Sequence, residues 1–112
     1  MQNLINQLTH KTKLSYEQAR NVLSLVSKEA IQNANPTLKS ELFSKLPSEI
    51  YNTFSENDIE ELLVLPPHRN NIELCDQIGL SVGIKESKKS KIITNEAIKI
   101  LQRRIGIYNL LI

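Results

Sequence analysis

The sequence predicts an all-α protein, a bundle of five to seven helices, and three observations carry that prediction. Apolar side chains recur at the three- and four-residue spacing of a helix with one buried face. Only three glycines (Gly79, Gly83, Gly106) and four prolines are present, too few for the tight turns of a sandwich or barrel. The prolines stand between the periodic stretches, where each ends one helix or opens the next. The length of 112 residues suits one domain spanning residues 1–112. A chain of that size buries roughly two thirds of its unfolded surface and needs no disulfide or metal to stabilise it. Aromatic residues make up 4% and Trp is absent, so the core is expected to be Leu, Ile, Val and Ala.

Taken in order, Asn3 to Thr9 carries Leu4, Ile5 and Leu8 at helical spacing. Ser15 and Gln18 then form a capping box before the clearest helix, Tyr16 to about Asn33. Ala19, Val22, Leu23, Val26, Ala30 and Ile31 line one side of it. Glu17, Arg20, Asn21, Ser24, Ser27 and Lys28 fall largely on the other. Asn35-Pro36 ends it, because a residue before proline is pushed out of the helical region. Pro36 opens a helix with Leu38, Leu42, Phe43 and Leu46, and Pro47-Ser48-Glu49 starts a short one carrying Ile50, Tyr51 and Phe54. Ser55 with Asp58 is a further cap, followed by Ile59, Leu62, Leu63 and Leu65 up to the stop at Pro66-Pro67.

The second half reads less clearly. Asn70 or Asn71 caps a helix through Ile72, Leu74, Cys75 and Ile78 that ends at Gly79. Leu80 to Ile84 alternates loosely, Lys85 to Ser90 is a polar loop, and Lys91 to Thr94 is β-prone, a pattern that allows one short β-hairpin between residues 80 and 94. Thr94 or Asn95 caps the last helix, with Ala97, Ile98, Leu101, Ile105 and Tyr108 apolar.

Net charge is +2, so no global field draws the chain to nucleic acid or anionic membrane. The distribution is uneven. Glu56 to Asp76 holds six acidic residues against Arg69, and Lys85 to Arg104 holds seven basic residues against Glu86 and Glu96. Such segments either mark a charged binding face or neutralise each other inside one fold, and the second is the commoner outcome. One cysteine, a start without a basic-then-apolar pattern, and no apolar run longer than Leu62–Leu65 make a cytoplasmic protein without a membrane span the expectation.

Catalytic and metal constellations are missing from the pattern, so neither an enzyme nor a cofactor is expected. His68 precedes Cys75 by seven residues, about 10 Å along a helix, too far for a direct pair. A cysteine among Ile72, Leu74 and Ile78 reads as a small core residue. His10 and His68 are isolated, and no metal-ligand spacing occurs. Gly79-Leu80-Ser81-Val82-Gly83 lacks the lysine of a phosphate loop.

Two features suggest binding instead. Lys85, Lys88, Lys89 and Lys91 cluster in the expected loop, while Lys99 and Arg103 stack at i, i+4 on the last helix. This set suits phosphates or an acidic partner, although no aromatic interleaves for base stacking and a solvated lysine loop is the commoner outcome. The tail 105–112 is largely apolar, and Ile107, Tyr108, Leu110, Leu111 and Ile112 need cover, from the domain itself or from a second copy.

Leu4-Ile5 through Val26, with Lys11-Thr12-Lys13-Leu14-Ser15 between two helices, resembles the opening of the HU-type nucleoid proteins. The glycine-rich turns and Arg-Asn-Pro arm tip by which that family binds DNA have no counterpart here. The stretch Leu42 to Phe54, centred on Leu46-Pro47-Ser48-Glu49, is similar to an uncharacterised family of bacterial helical bundles with a leucine-proline-x-glutamate helix. Together the two cover residues 3–54 and imply a helical fold; neither supplies a functional residue. The expectation is a non-catalytic protein-interaction or structural module, with a homodimer through the tail as one form of it. The alternative is a nucleic-acid-associated protein using the basic segment 85–104.

Overall fold

The computed structural model describes residues 4–34, 36–64 and 71–105. They form seven helices, with no strand among the described residues: α1 (Leu4–Thr12), α2 (Tyr16–Asn33), α3 (Pro36–Lys45), α4 (Ser48–Tyr51), α5 (Glu56–Val64), α6 (Asn71–Val82) and α7 (Ser87–Ile105). Helices α1, α2, α6 and α7 pack on one another, and α3, α4 and α5 each lie against α2. One continuous core joins them, built from residues such as Ile5, Leu8, Leu23, Ile31, Leu42, Ile50, Ile78 and Leu101.

Local chemistry sets the helix ends. Helix α1 runs to Thr12, three residues past Thr9, and closes where Lys13 takes a left-handed φ of 62° and donates its N–H to the Thr9 carbonyl at 2.8 Å. The expected capping box opens α2. Gln18 N–H donates to Ser15 Oγ, and Ser15 N–H donates to Gln18 Oε1, both at 3.1 Å. Gln18 also donates through Nε2 to the Val82 carbonyl at the end of α6, 3.5 Å away.

The polar side of α2 is not left to solvent. Glu17, Arg20 and Asn21 are exposed, but Ser24 and Ser27 are buried. Helices α3 to α5 cover that flank. Ser24 Oγ lies 2.7 Å from Thr53 Oγ1, which itself donates to the Ile50 carbonyl, so the serine is the donor of the pair. Lys39, only 4% exposed, extends its ammonium to the Leu62 carbonyl at 2.6 Å. That places a cation at the negative end of α5, where a last-turn carbonyl lacks a helical partner. The second predicted cap is also reciprocal: Ser55 N–H donates to Asp58 Oδ2 at 3.0 Å, and Asp58 N–H donates to Ser55 Oγ at 3.1 Å. Lys28 reaches across from α2, 3.3 Å from the same carboxylate and 5.5 Å above the centroid of Phe54.

The hairpin allowed between residues 80 and 94 is replaced by a helix–turn–helix. Helix α6 does not end at Gly79 but continues to Val82, and α7 begins at Ser87 rather than at Thr94 or Asn95. The stop is Gly83, whose φ of 71° suits a residue without a Cβ. Ile84 N–H donates back to the Gly79 carbonyl at 2.8 Å and Gly83 N–H to Leu80 at 3.4 Å, the two bonds of a Schellman motif. Gly79 instead serves packing. A Cβ there would lie 3.0 Å from the Ile84 oxygen and 3.2 Å from Ser90 Cβ, so glycine lets α7 approach. The β-branched run Ile92-Ile93-Thr94 is helical because Ser90, Ile93, Thr94, Ala97 and Leu101 form one buried stripe. The Thr94 hydroxyl is satisfied within it, donating to the Ser90 carbonyl at 2.7 Å.

Two consequences can be measured. Gly83→Ala has open space around it and loses only the left-handed conformation, so urea denaturation should show a loss of about 1 kcal/mol. Gly79→Val crowds a helix crossing and should cost about 1–3 kcal/mol; equal effects would contradict the separate roles. The Asp58 carboxyl is held below its ordinary value, chiefly by the hydrogen bond from the Ser55 N–H; desolvation opposes this, and Lys28 adds to the lowering. The stability this linkage supplies is present above the ordinary carboxylate range and is lost as pH falls through the lowered value. Asp58→Asn should therefore be less stable than the parent at pH 7, with the gap closing in acid; a constant gap would refute the linkage.

Candidate functional site

The loop expected to hold Lys85, Lys88, Lys89 and Lys91 holds only Lys85. Lys88, Lys89 and Lys91 belong to the first two turns of α7 and continue the helix that carries Lys99 and Arg103. At helical pitch Lys88, Lys91, Ile92, Asn95, Lys99 and Arg103 share one side, and all six are exposed. The result is a basic stripe about 22 Å long on a rigid element. Lys89 stands beside it, 4.0 Å from Glu86, and Lys99 is 3.9 Å from Glu96.

Helix α1 extends this surface. A cleft of about 410 Å³ between α1 and α7 is lined by Gln7, His10 and Lys11 on one wall and Glu96, Lys99, Ile100 and Arg103 on the other. Lys11 also borders a second hollow, about 310 Å³, floored by Leu14, Ile84, Ile92 and Ile93 and edged by Lys89. Ile84 in turn lines a third, about 460 Å³, with Leu80 and Lys85 at the α6–α7 turn. The face is thus mixed: cations and aliphatic side chains share it with the carboxylates of Asp76 and Glu96, and Leu80 and Ile92 are 83% and 55% exposed. His10, Lys11, Leu80 and Ile92 were not singled out from sequence. Nothing in the chain order ties the end of α1 to α7, and Ile92 looked like part of a β-prone run.

The arrangement is costly to the isolated fold. Lys88 and Lys89 lie in the first turn of α7, which contains no acidic residue, at the positive end of the helix dipole. Lys88 and Lys91 at i, i+3, and Lys99 and Arg103 at i, i+4, repel each other along the stripe. Both departures from helix electrostatics fall on one exposed face of α7.

Comparison with protein-family models, with curated proteins and with solved structures returns no match for this chain. Function is therefore argued from its own residues.

The acidic segment is split between two helices: Asp76 lies on α6, which packs on α7, and lines the same hollow as Lys85. Glu56, Asp58, Glu60 and Glu61 belong to α5, which packs on α2 and makes no substantial packing with α7. Among the described residues no ion pair joins α5 to α7, so the α5 carboxylates do not offset the α7 cations through ion pairs. Also among the described residues, no three His, Cys, Asp or Glu side chains are close enough to share a metal ion, and no helix is long and apolar enough to cross a membrane. Cys75 falls on α6, but its side chain and His68 lie outside the described residues, as do Ile107, Tyr108, Leu110, Leu111 and Ile112 of the tail.

A charge reversal separates binding from stability. Lys88→Glu puts an anion in the first turn of α7 and should raise stability by about 0.3–1 kcal/mol at low salt. Thermal unfolding measures it, and a lower midpoint would show that Lys88 is held by the fold.

Proposed function

We propose that this chain is a non-catalytic interaction module that takes an acidic protein partner on the outer face of α7 and the seam between α7 and α1. The observation that carries the reading is the pairing of a row of exposed cations with aliphatic side chains on one face. Lys88, Lys91, Lys99 and Arg103 supply the charge, and Leu80, Ile84 and Ile92 the apolar contact. A partner with carboxylates around one or two aliphatic residues would gain from both.

A nucleic-acid backbone is the second reading, supported by the length of the stripe and the addition of Lys11 and His10. It makes no use of Leu80 or Ile92, and no aromatic side chain lies in the stripe for bases to stack on.

The triple variant Lys88→Glu, Lys91→Glu, Lys99→Glu tests both readings. Affinity capture from native extract with parent and variant should retain an acidic protein on the parent alone. The same proteins on both would place the interface elsewhere. A shift assay with duplex DNA at two salt concentrations should show no binding that collapses steeply with salt; such a collapse would favour the second reading.

A further inference from the structure

We infer that the acidic partner of α7 is a second copy of this chain, which presents its α5 face; the inference rests on α7 being the binding face. Helix α5 carries the complement of the α7 stripe. Glu56, Glu60 and Leu63 stand at i, i+4 and i+7 on its outer side, all exposed, with Leu63 at 53%. Beside Leu63 a hollow of about 520 Å³ is lined by Phe43, Tyr51 and Ile59.

The spacings match. Glu56 to Leu63 is seven residues, and so is Ile92 to Lys99. When the two helices approach antiparallel, Leu63 meets Ile92, Glu56 meets Lys99, and Glu60 meets Asn95. Lys91 and Arg103 flank the contact, and the hollow lies beside the Leu63–Ile92 pair. Within one copy this pairing is not made: α5 and α7 both lie on α2 without substantial packing on each other, and among the described residues no ion pair joins them. The contact is head-to-tail, so it repeats into chains or closes into a ring.

Sedimentation velocity on the whole protein over a concentration series, at low and at 0.5 M sodium chloride, provides the test. Self-association should appear at low salt and weaken roughly tenfold or more at high salt. Lys91→Glu with Lys99→Glu should abolish it, and so should Glu56→Lys with Glu60→Lys. A chain carrying all four changes keeps its net charge and should associate again, a recovery that a folding defect would not produce. A monomer at every concentration in low salt overturns the inference, as does a four-fold variant that stays monomeric. If the protein is monomeric while the α7 triple variant still loses a captured acidic protein, only the second copy is wrong. If that variant loses nothing, the binding face is wrong as well.

Discussion

Helix α2 packs against each of the other six helices, and the rest of the fold depends on that constraint. From Val22 to Ile31 it offers no exposed residue. A helix enclosed on every side normally reads as apolar all round, yet this one carries Ser24, Ser27, Lys28 and Glu29. Each polar group there needs a partner from a neighbouring element or leaves a cost. Ser24 is met by Thr53 and Lys28 by Asp58, while the Ser27 hydroxyl finds no partner among the described residues. The short α4 and the capped start of α5 are held in place by these contacts, in addition to burying Ile50 and Phe54.

With α2 enclosed, charge has to go outward. Helices α5 and α7 each give α2 an apolar face and, Asp58 and Glu96 apart, leave their described ionic residues exposed, so two charged surfaces arise on elements with no substantial packing between them. Had they packed together, carboxylates and lysines would have formed ion pairs of small net value. Kept apart, they are available to other molecules. The core arrangement and the binding reading are therefore one argument at two scales.

The first half was legible in sequence because its signals are local. The Ser15–Gln18 and Ser55–Asp58 boxes, the break at Pro36 and the short helix after Pro47 all depend on residues within one turn of each other, and the structure has them at those positions. The second half was not, because its decisive contacts are between elements. Gly79 looked like a helix end, but it is a close approach whose need for glycine comes from the Ile84 carbonyl in the turn and Ser90 on α7. Ser90 and Thr94 looked like polar loop and cap residues, yet they are core residues because α7 is pressed against α6 and α2. Burial of Ser24 and Ser27 was hidden for the same reason. The candidate site inherited the error: its cations were identified, but the helix that aligns them and the contribution of α1 were not.

That error changes what the lysines mean. In a solvated loop, Lys88, Lys89 and Lys91 would cost the fold nothing and would carry little information. On the first two turns of α7 they oppose the helix dipole and repel one another, while glutamate at the same positions would stabilise the helix. The alignment also fixes their spacing, so a partner meets charges at set distances instead of a flexible cloud and loses less entropy on binding. The exposed Ile92 within the stripe then favours an occupant with an apolar contact of its own over a bare chain of phosphates. Among the surfaces described, the α5 face with Leu63 between carboxylates and hollow has that chemistry at the required separation.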